Sequence, residues 1–347
     1  MKKTRGLLKD IAREANCSTA AVSRALSADV QQQKLVAPDT FAAIMQAAKK
    51  LNYRPSHNKR RALGVVGVFT PLGHSTLSLD LLNGITQAAN EAHTPLYCYN
   101  YQDGSSFVDF MNNHISQHRA MGVVSYYPPA ISEVPEFMAM YEKLKHLDIP
   151  LVIIHNDAPD DFKEITVKFD NYYGGSLAGK HLRELKCREY YILGSGVAKT
   201  TPAKHYSFER LQGCYNELTF HLRTTCHMLT NNMGYGVDVK HGIIEMMYRM
   251  VDWRQPGAVG IFCDCDRLAA HLMTFLQSKQ INIGSQAKIV GYNGEEFTGN
   301  LYPSLTTVKQ NFHQLGFIAM QKLFNMMRGK SESSLTIKPE LIVRSST

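Results

Sequence analysis

The sequence predicts an all-α helix-turn-helix head followed by an α/β core of two lobes, each a parallel sheet flanked by helices. Three observations predict this. Residues 7–26, LLKDIAREANCSTAAVSRAL, carry two short apolar stripes at helical period, separated by a tight turn. The first 63 residues hold 13 basic side chains against 4 acidic ones, whereas the remainder holds 25 against 26, so the net charge of +8 sits in the head. From residue 64 onward, short β-rich runs alternate with helical stretches, the pattern of buried parallel strands.

The composition narrows the function classes. A chain of 347 residues has room for two or three compact units. The seven cysteines are odd in number and scattered, which fits reduced thiols rather than a disulfide framework. No apolar run reaches membrane-spanning length, and Met-Lys-Lys leads into a polar helix rather than a secretion signal, so the protein is expected in the cytoplasm, on the nucleoid. A basic head on a near-neutral body is the footprint of a polyanion-binding module joined to a separate sensor.

In the head, Leu8, Ile11, Ala12 and Ala15 fall at i, i+3, i+4 and i+7 and form one stripe. Asn16 follows, a residue that tolerates the left-handed conformation of a helix stop. Ser18 then reads as the N-cap of a second helix. Val22, Ala25 and Leu26 share its inner face, while Ala20, Ser23, Arg24 and Ser27 point outward and Thr19 lies on the flank. Such a helix is slim enough to enter a DNA major groove. A glutamine-rich loop, SADVQQQKLVA, leads to a third amphipathic helix from Pro38 to Asn52, with Phe41, Ile44, Met45, Ala48 and Leu51 as its apolar set. Pro38 suits the first helical position. Tyr53-Arg54-Pro55 follow.

These motifs, DIAREA, then S-x-x-x-VSR-x-L, then a third helix closing on LNYRP, resemble the DNA-binding head of the lactose-repressor (LacI) family of bacterial regulators, and the resemblance extends over nearly the whole chain. It implies a head over residues 1–55, a basic hinge over 56–63 and an effector-binding, dimerising core over 64–347. Thr19 and Ala20 then occupy the positions that choose the operator, where small side chains favour contact with thymine methyl groups. Arg24 is suited to the O6 and N7 of a guanine. Ser23, Tyr53 and Arg54 are implied phosphate contacts. The position of the family's minor-groove leucine is Ala62, with Leu63 one residue late and a shorter link to the first strand. Lys59, Arg60 and Arg61 are therefore expected to touch phosphates or the minor groove instead.

In the core, nine runs read as strands: 64–69, 95–101, 122–127, 150–155, 165–169, 189–194, 224–229, 258–263 and 287–292. Helix-like stretches at 78–92, 171–185, 207–221 and 266–279 lie between them. The resemblance implies a periplasmic-binding-protein-like core with three crossovers: lobe one over about 64–166 and 302–329, lobe two over about 167–301 and 330–347. Ligands of such sheets sit at the carboxyl ends of the strands.

The same resemblance places the effector between the lobes. Arg210, in S-F-E-R-L-Q-G, matches the family's R-x-x-G, whose arginine reaches the ligand. Asp266, in IFCDCDRLA, resembles the family's IFCANDxxA, and its carboxylate is implied to accept from ligand hydroxyls. His74, Ser75 and Leu77 in PLGHSTLS, together with His155 and Asn293, occupy further cleft positions. Cys265, Asn293-Gly294 and His155-Asn156 depart from the residues the family commonly has there.

No phosphate loop, HExxH helix or GxSxG elbow is present. Cys263 and Cys265 lack a second ligand pair at zinc spacing. Neither catalysis nor a cofactor or metal is expected. The sequence thus reads as a transcription regulator, most simply a repressor, that binds a pseudo-palindromic operator as a homodimer and senses a sugar or sugar derivative. Alternatives keep the head but give the core a purine, a nucleoside or a protein partner to sense. A remoter one is a sugar-binding protein or an enzyme with a fused basic head.

Overall fold

The computed structural model describes residues 8–27, 30–51, 53, 65–69, 76–99, 120–126, 142–154, 164–194, 206–221, 225–230 and 237–347.

The head is a cluster of short helices around one small core. Helix α1 spans Leu8–Glu14 and α2 spans Thr19–Ala25. Asn16 between them adopts φ +48°, the left-handed stop expected of it. Ser18 caps α2, its Oγ accepting from the Ala21 N–H at 3.1 Å. The glutamine-rich segment is not only loop: Val30–Gln33 make one helical turn, α3, and the Gln33 amide donates to the Ser27 carbonyl. Helix α4 spans Pro38–Lys50. Ile11, Val22 and Ile44, all fully buried, join the three longer helices, with Ala12, Ala25, Val36, Ala47 and Ala48 around them. Met45 departs from expectation. It is exposed, and Ala47 is buried in the α4 face instead, because only a small side chain fits against α1 and α2 there.

The core holds two six-stranded sheets. The first runs β11-β5-β4-β3-β1-β2, with β1 at Val65–Phe69, β2 at Leu96–Tyr99, β3 at Ala120–Tyr126, β4 at Leu151–Ile154, β5 at Ile165–Phe169 and β11 at Leu335–Ile337. The second runs β12-β10-β9-β8-β6-β7, with β6 at Glu189–Gly194, β7 at Cys226–Thr230, β8 at Val259–Cys263, β9 at Ala287–Asn293, β10 at Thr306–Lys309 and β12 at Glu340–Ile342. Strand pairing is parallel except where β12 runs antiparallel to β10. The inner strands β4 and β8 are buried along their whole length, as sheets covered on both faces require. Setting aside β11 and β12, each sheet follows a 2-1-3-4-5 order, so each has a switch point, between β1 and β3 and between β6 and β8.

The chain crosses between sheets three times, later at each crossing than the sequence division placed it. Val167–Phe169 belong to the first sheet, where Val167 pairs with Leu335. Thr306–Lys309, expected in lobe one, pair with β9 in the second sheet. Leu335–Ile337, expected in lobe two, pair with β5 in the first. An apolar strand reads alike in either sheet; only its hydrogen-bonding neighbour assigns it. Strands β10 and β11 and a helix, Val237–Met250, were not read from the sequence at all.

Helix α5 (Thr76–Glu91) packs on α10 (Phe312–Met327) against the first sheet, and α6 (Asn171–Glu184) packs on α7 (Tyr206–His221) against the second. Helix α8 is Val237–Met250, and α9, Asp266–Ser278, follows β8. The α6–α7 contact positions the site. A Cβ on Gly175 would fall 2.0 Å from the Arg210 carbonyl oxygen, and one on Gly213 would fall 2.1 Å from that of Tyr172. Glycine at both places lets the two backbones touch, which is the structural role of the glycine in R-x-x-G.

Candidate functional site

The outer face of α2 presents Thr19, Ala20, Ser23 and Arg24, all exposed, while Val22 and Ala25 anchor the helix to the core beneath. Four adjacent exposed residues on a capped helix, one of them an arginine, form a surface that fits a groove. Tyr53 is half-buried, packs on the head core and donates its N–H to the Ala48 carbonyl at 2.9 Å. Lys50, on the last turn of α4, pairs with Glu14 at 2.6 Å. Arg54, Lys59, Arg60 and Arg61 lie outside the described residues.

The second cluster stands at the carboxyl ends of β6, β8, β9 and β10, at the switch point of the second sheet. Arg210 projects from the first turns of α7 and is 3% exposed. Its Nε donates to Asn171 Oδ1, its Nη1 to the Asp264 carbonyl and its Nη2 to Gln310 Oε1, each at 3.0 Å. Gln310 Nε2 donates to the same Asn171 oxygen at 3.0 Å. The guanidinium carbon lies 4.0 Å from the Tyr292 ring centroid and 4.9 Å from that of Tyr206, which stabilises a desolvated cation. One side chain thereby ties α6, α7, the end of β8 and the crossover after β10 into one frame.

Asp266 does something other than expected. It is fully buried at the start of α9. Its Oδ1 accepts from the Thr307 hydroxyl at 2.6 Å and its Oδ2 from the Glu295 N–H at 2.8 Å. Gly291 makes room for it, since a Cβ there would sit 2.4 Å from Oδ1. Both oxygens are thus turned into the protein, bracing the Gly294–Glu295 turn against β10, and are not offered to a ligand. Burial pushes its carboxyl up to about 7, opposed by the bonds from Thr307 and Glu295 and reinforced by the Glu295 charge.

Asn293 ends β9 at φ +114° and is mostly buried; its carbonyl accepts from the Gln310 N–H at 3.1 Å. No hydrogen bond engages its side-chain amide among the described residues. Such a backbone conformation is uncommon outside glycine and concentrates at binding sites. Leu77 is not a loop residue. Helix α5 already starts at Thr76, and Leu77 packs on the core of the first lobe. His74, Ser75 and His155 lie outside the described residues.

The residues that sequence reasoning missed are Asn171, Gln310, Tyr206, Tyr292 and Glu295. Each is a single polar or aromatic residue at an element end, with no spacing to mark it. Glu295 reaches furthest: its Oε2 accepts from Thr76 Oγ1 at 3.2 Å, a bond between the second lobe and the start of α5 in the first. Its Oε1 lies 3.6 Å from Arg267 Nε. Among the described residues, no group of three His, Cys, Asp or Glu could hold a metal ion, and no helix is long and apolar enough to cross a membrane.

Comparison with known proteins agrees with both halves. The profile of bacterial regulatory proteins of the lacI family matches residues 7–56, and that of the periplasmic binding protein-like domain matches residues 180–347. The HTH-type transcriptional repressor PurR of Histophilus somni (strain 2336) is 23% identical over 355 residues, covering 98% of each chain. The lac repressor dimer bound to operator and the anti-inducer ONPF superposes with a TM-score of 0.66 at 19% identity, over 99% of both chains. The transcriptional regulator CelR in its cellobiose complex superposes at 0.65 and 20% identity, over 99% of this chain and 100% of that one.

Proposed function

Since the chain belongs to the lacI family of bacterial regulatory proteins, with a periplasmic-binding-protein-like core behind its helix-turn-helix head, we propose that it is a transcriptional repressor whose operator affinity is set by a small polar ligand held between the two lobes. The observation that carries the reading is the exposed Thr19, Ala20, Ser23, Arg24 face of α2, set on a basic head and joined to a buried polar cluster at a sheet switch point. One seven-residue helix reads few bases. A homodimer on a pseudo-palindrome doubles the reading. Ligand would change the relation of the lobes and thereby the spacing of two heads.

A sugar or sugar derivative is the favoured ligand, supported by the cellobiose complex of a relative of the same fold. The likeness to a repressor named PurR supports a purine as the second reading. The relatives named are regulators, and the chain is read as acting on DNA in the cytoplasm rather than as an enzyme.

The test is selection of duplexes from a randomised pool by the full-length protein. The expected outcome is a two-fold symmetric consensus, with Arg24→Ala relaxing the preference at one base pair in each half-site by about 1–3 kcal/mol. An unselective pool, bound equally by both proteins, overturns the reading.

A further inference from the structure

We propose that the effector carries an anionic group, a phosphate or a carboxylate, that seats against Arg210. The inference rests on the cleft reading above and adds the charge of the ligand to it.

Arg210 is a cation almost wholly removed from water, yet no carboxylate pairs with it among the described residues. Its three hydrogen bonds go to an amide oxygen of Asn171, an amide oxygen of Gln310 and a backbone carbonyl. Asp264 gives it that carbonyl and not its carboxylate. Asp170 is engaged as the cap of α6, accepting from the Tyr173 N–H at 2.9 Å. The segment that joins β6 to α7, residues 195–205, contains no acidic residue. A buried charge is costly unless a counter-charge and hydrogen bonds offset the lost hydration. Here the hydrogen bonds are in place and the counter-charge is missing.

The remaining hydrogen-bond balance points the same way. A guanidinium has five N–H donors, and three are used, so two remain. The Asn293 amide adds further unengaged donor capacity. The acceptors are spent: Asn171 Oδ1 takes bonds from both Arg210 and Gln310, Gln310 Oε1 takes one from Arg210, and each Asp266 oxygen is taken from within. A neutral polyol donates as much as it accepts and needs free acceptors. A site with donors left and acceptors spent matches a group that only accepts, and an arginine fork matches phosphate or carboxylate oxygens.

Calorimetry and thermal melts on the full-length protein would test this with matched sets: ribose, ribonate and ribose 5-phosphate; glucose, gluconate and glucose 6-phosphate. Inorganic sulfate and phosphate serve as bare probes against chloride at equal ionic strength. The second arm is Gln310→Glu, which places a carboxylate oxygen where Arg210 Nη2 already donates at 3.0 Å. The charged member of a set is expected to bind at least about tenfold more tightly than its neutral parent, and the phosphate and acid arms tell which anion is meant. Sulfate or phosphate should raise the melting temperature of the natural protein, and Gln310→Glu should raise it without added anion and abolish the anion response. Neutral sugars that bind as tightly as their charged partners overturn the inference but leave the cleft reading standing. Anion responses equal in both proteins, with no rise from Gln310→Glu, also overturn it, whether or not any sugar binds. A failed operator selection strikes the function reading alone.

Discussion

Asp266 shows how one residue can be right in position and different in role. Its place after the IFCDC run was readable, because a strand followed by an acidic helix start is a local pattern. Its orientation was not, because that depends on Gly291 of the neighbouring strand and on Thr307, 41 positions away. The pH consequence has a definite sign. A carboxyl raised from an ordinary value near 3.8 to about 7 binds its proton more tightly in the folded chain than in the unfolded one. Stability from this group is therefore complete below about pH 4, falls as pH rises through 4 to 7, and stays lower above that window. Asp266→Asn keeps an acceptor for the Glu295 N–H and removes the titration. Melts from pH 5 to 8 are expected to fall less steeply in the variant, which should gain on the order of 2–4 kcal/mol relative to the natural protein across the window. Parallel pH profiles would show that the carboxyl does not titrate there.

At the scale of elements, what was legible followed local rules and what was not required a partner. Asn16 and Ser18 marked the turn and the start of α2 because left-handed backbone and N-caps have narrow residue preferences. The nine apolar runs became strands because buried parallel strands need near-continuous apolar sequence. Thr306–Lys309 was missed because a strand of four residues with two threonines and a lysine carries no such signal. Two predictions belong here. Ser18→Ala removes the cap of a seven-residue helix, which should cost about 1 kcal/mol of head stability. It should weaken operator binding uniformly across sequences, unlike Arg24→Ala, and an altered base preference would assign Ser18 a direct contact. Gly175→Ala drives a methyl against the Arg210 carbonyl and forces α6 and α7 apart. Overpacking should outweigh the helix-propensity gain of about 1 kcal/mol and leave a net loss of about 1–2 kcal/mol in urea unfolding. Ligand response should weaken with it, since Arg210 moves with its backbone. A stabilised Gly175→Ala would mean that the helices slide apart freely.

For the whole molecule, the division of labour was visible in charge alone, with a basic head and a near-neutral core. The two-lobe core followed from a strand count too large for one sheet. The points at which the chain crosses between sheets were not visible, because they are set by hydrogen-bond partners across more than a hundred residues, as with Leu335 and Val167. Nor was the contact between lobes. Thr76 opens α5 on the first sheet and Glu295 follows β9 on the second, and their 3.2 Å bond joins bodies that meet in space and not in sequence. A ligand between the lobes shifts their equilibrium only through contacts that differ between the two arrangements, and this bond is made in the one seen here. Thr76→Val removes the hydroxyl while keeping the side-chain shape. A hydrogen bond to a charged group contributes about 1.5–3 kcal/mol, although the half-exposed position of the threonine lowers that here. Loss of the bond should therefore shift operator affinity without ligand by about three- to tenfold and move the ligand midpoint with it, leaving base preference unchanged. Operator titrations with and without ligand check both quantities together. If neither moves, the bond is kept in both arrangements of the lobes, and the coupling between ligand and DNA must run through the crossovers after β5, β10 and β11 instead.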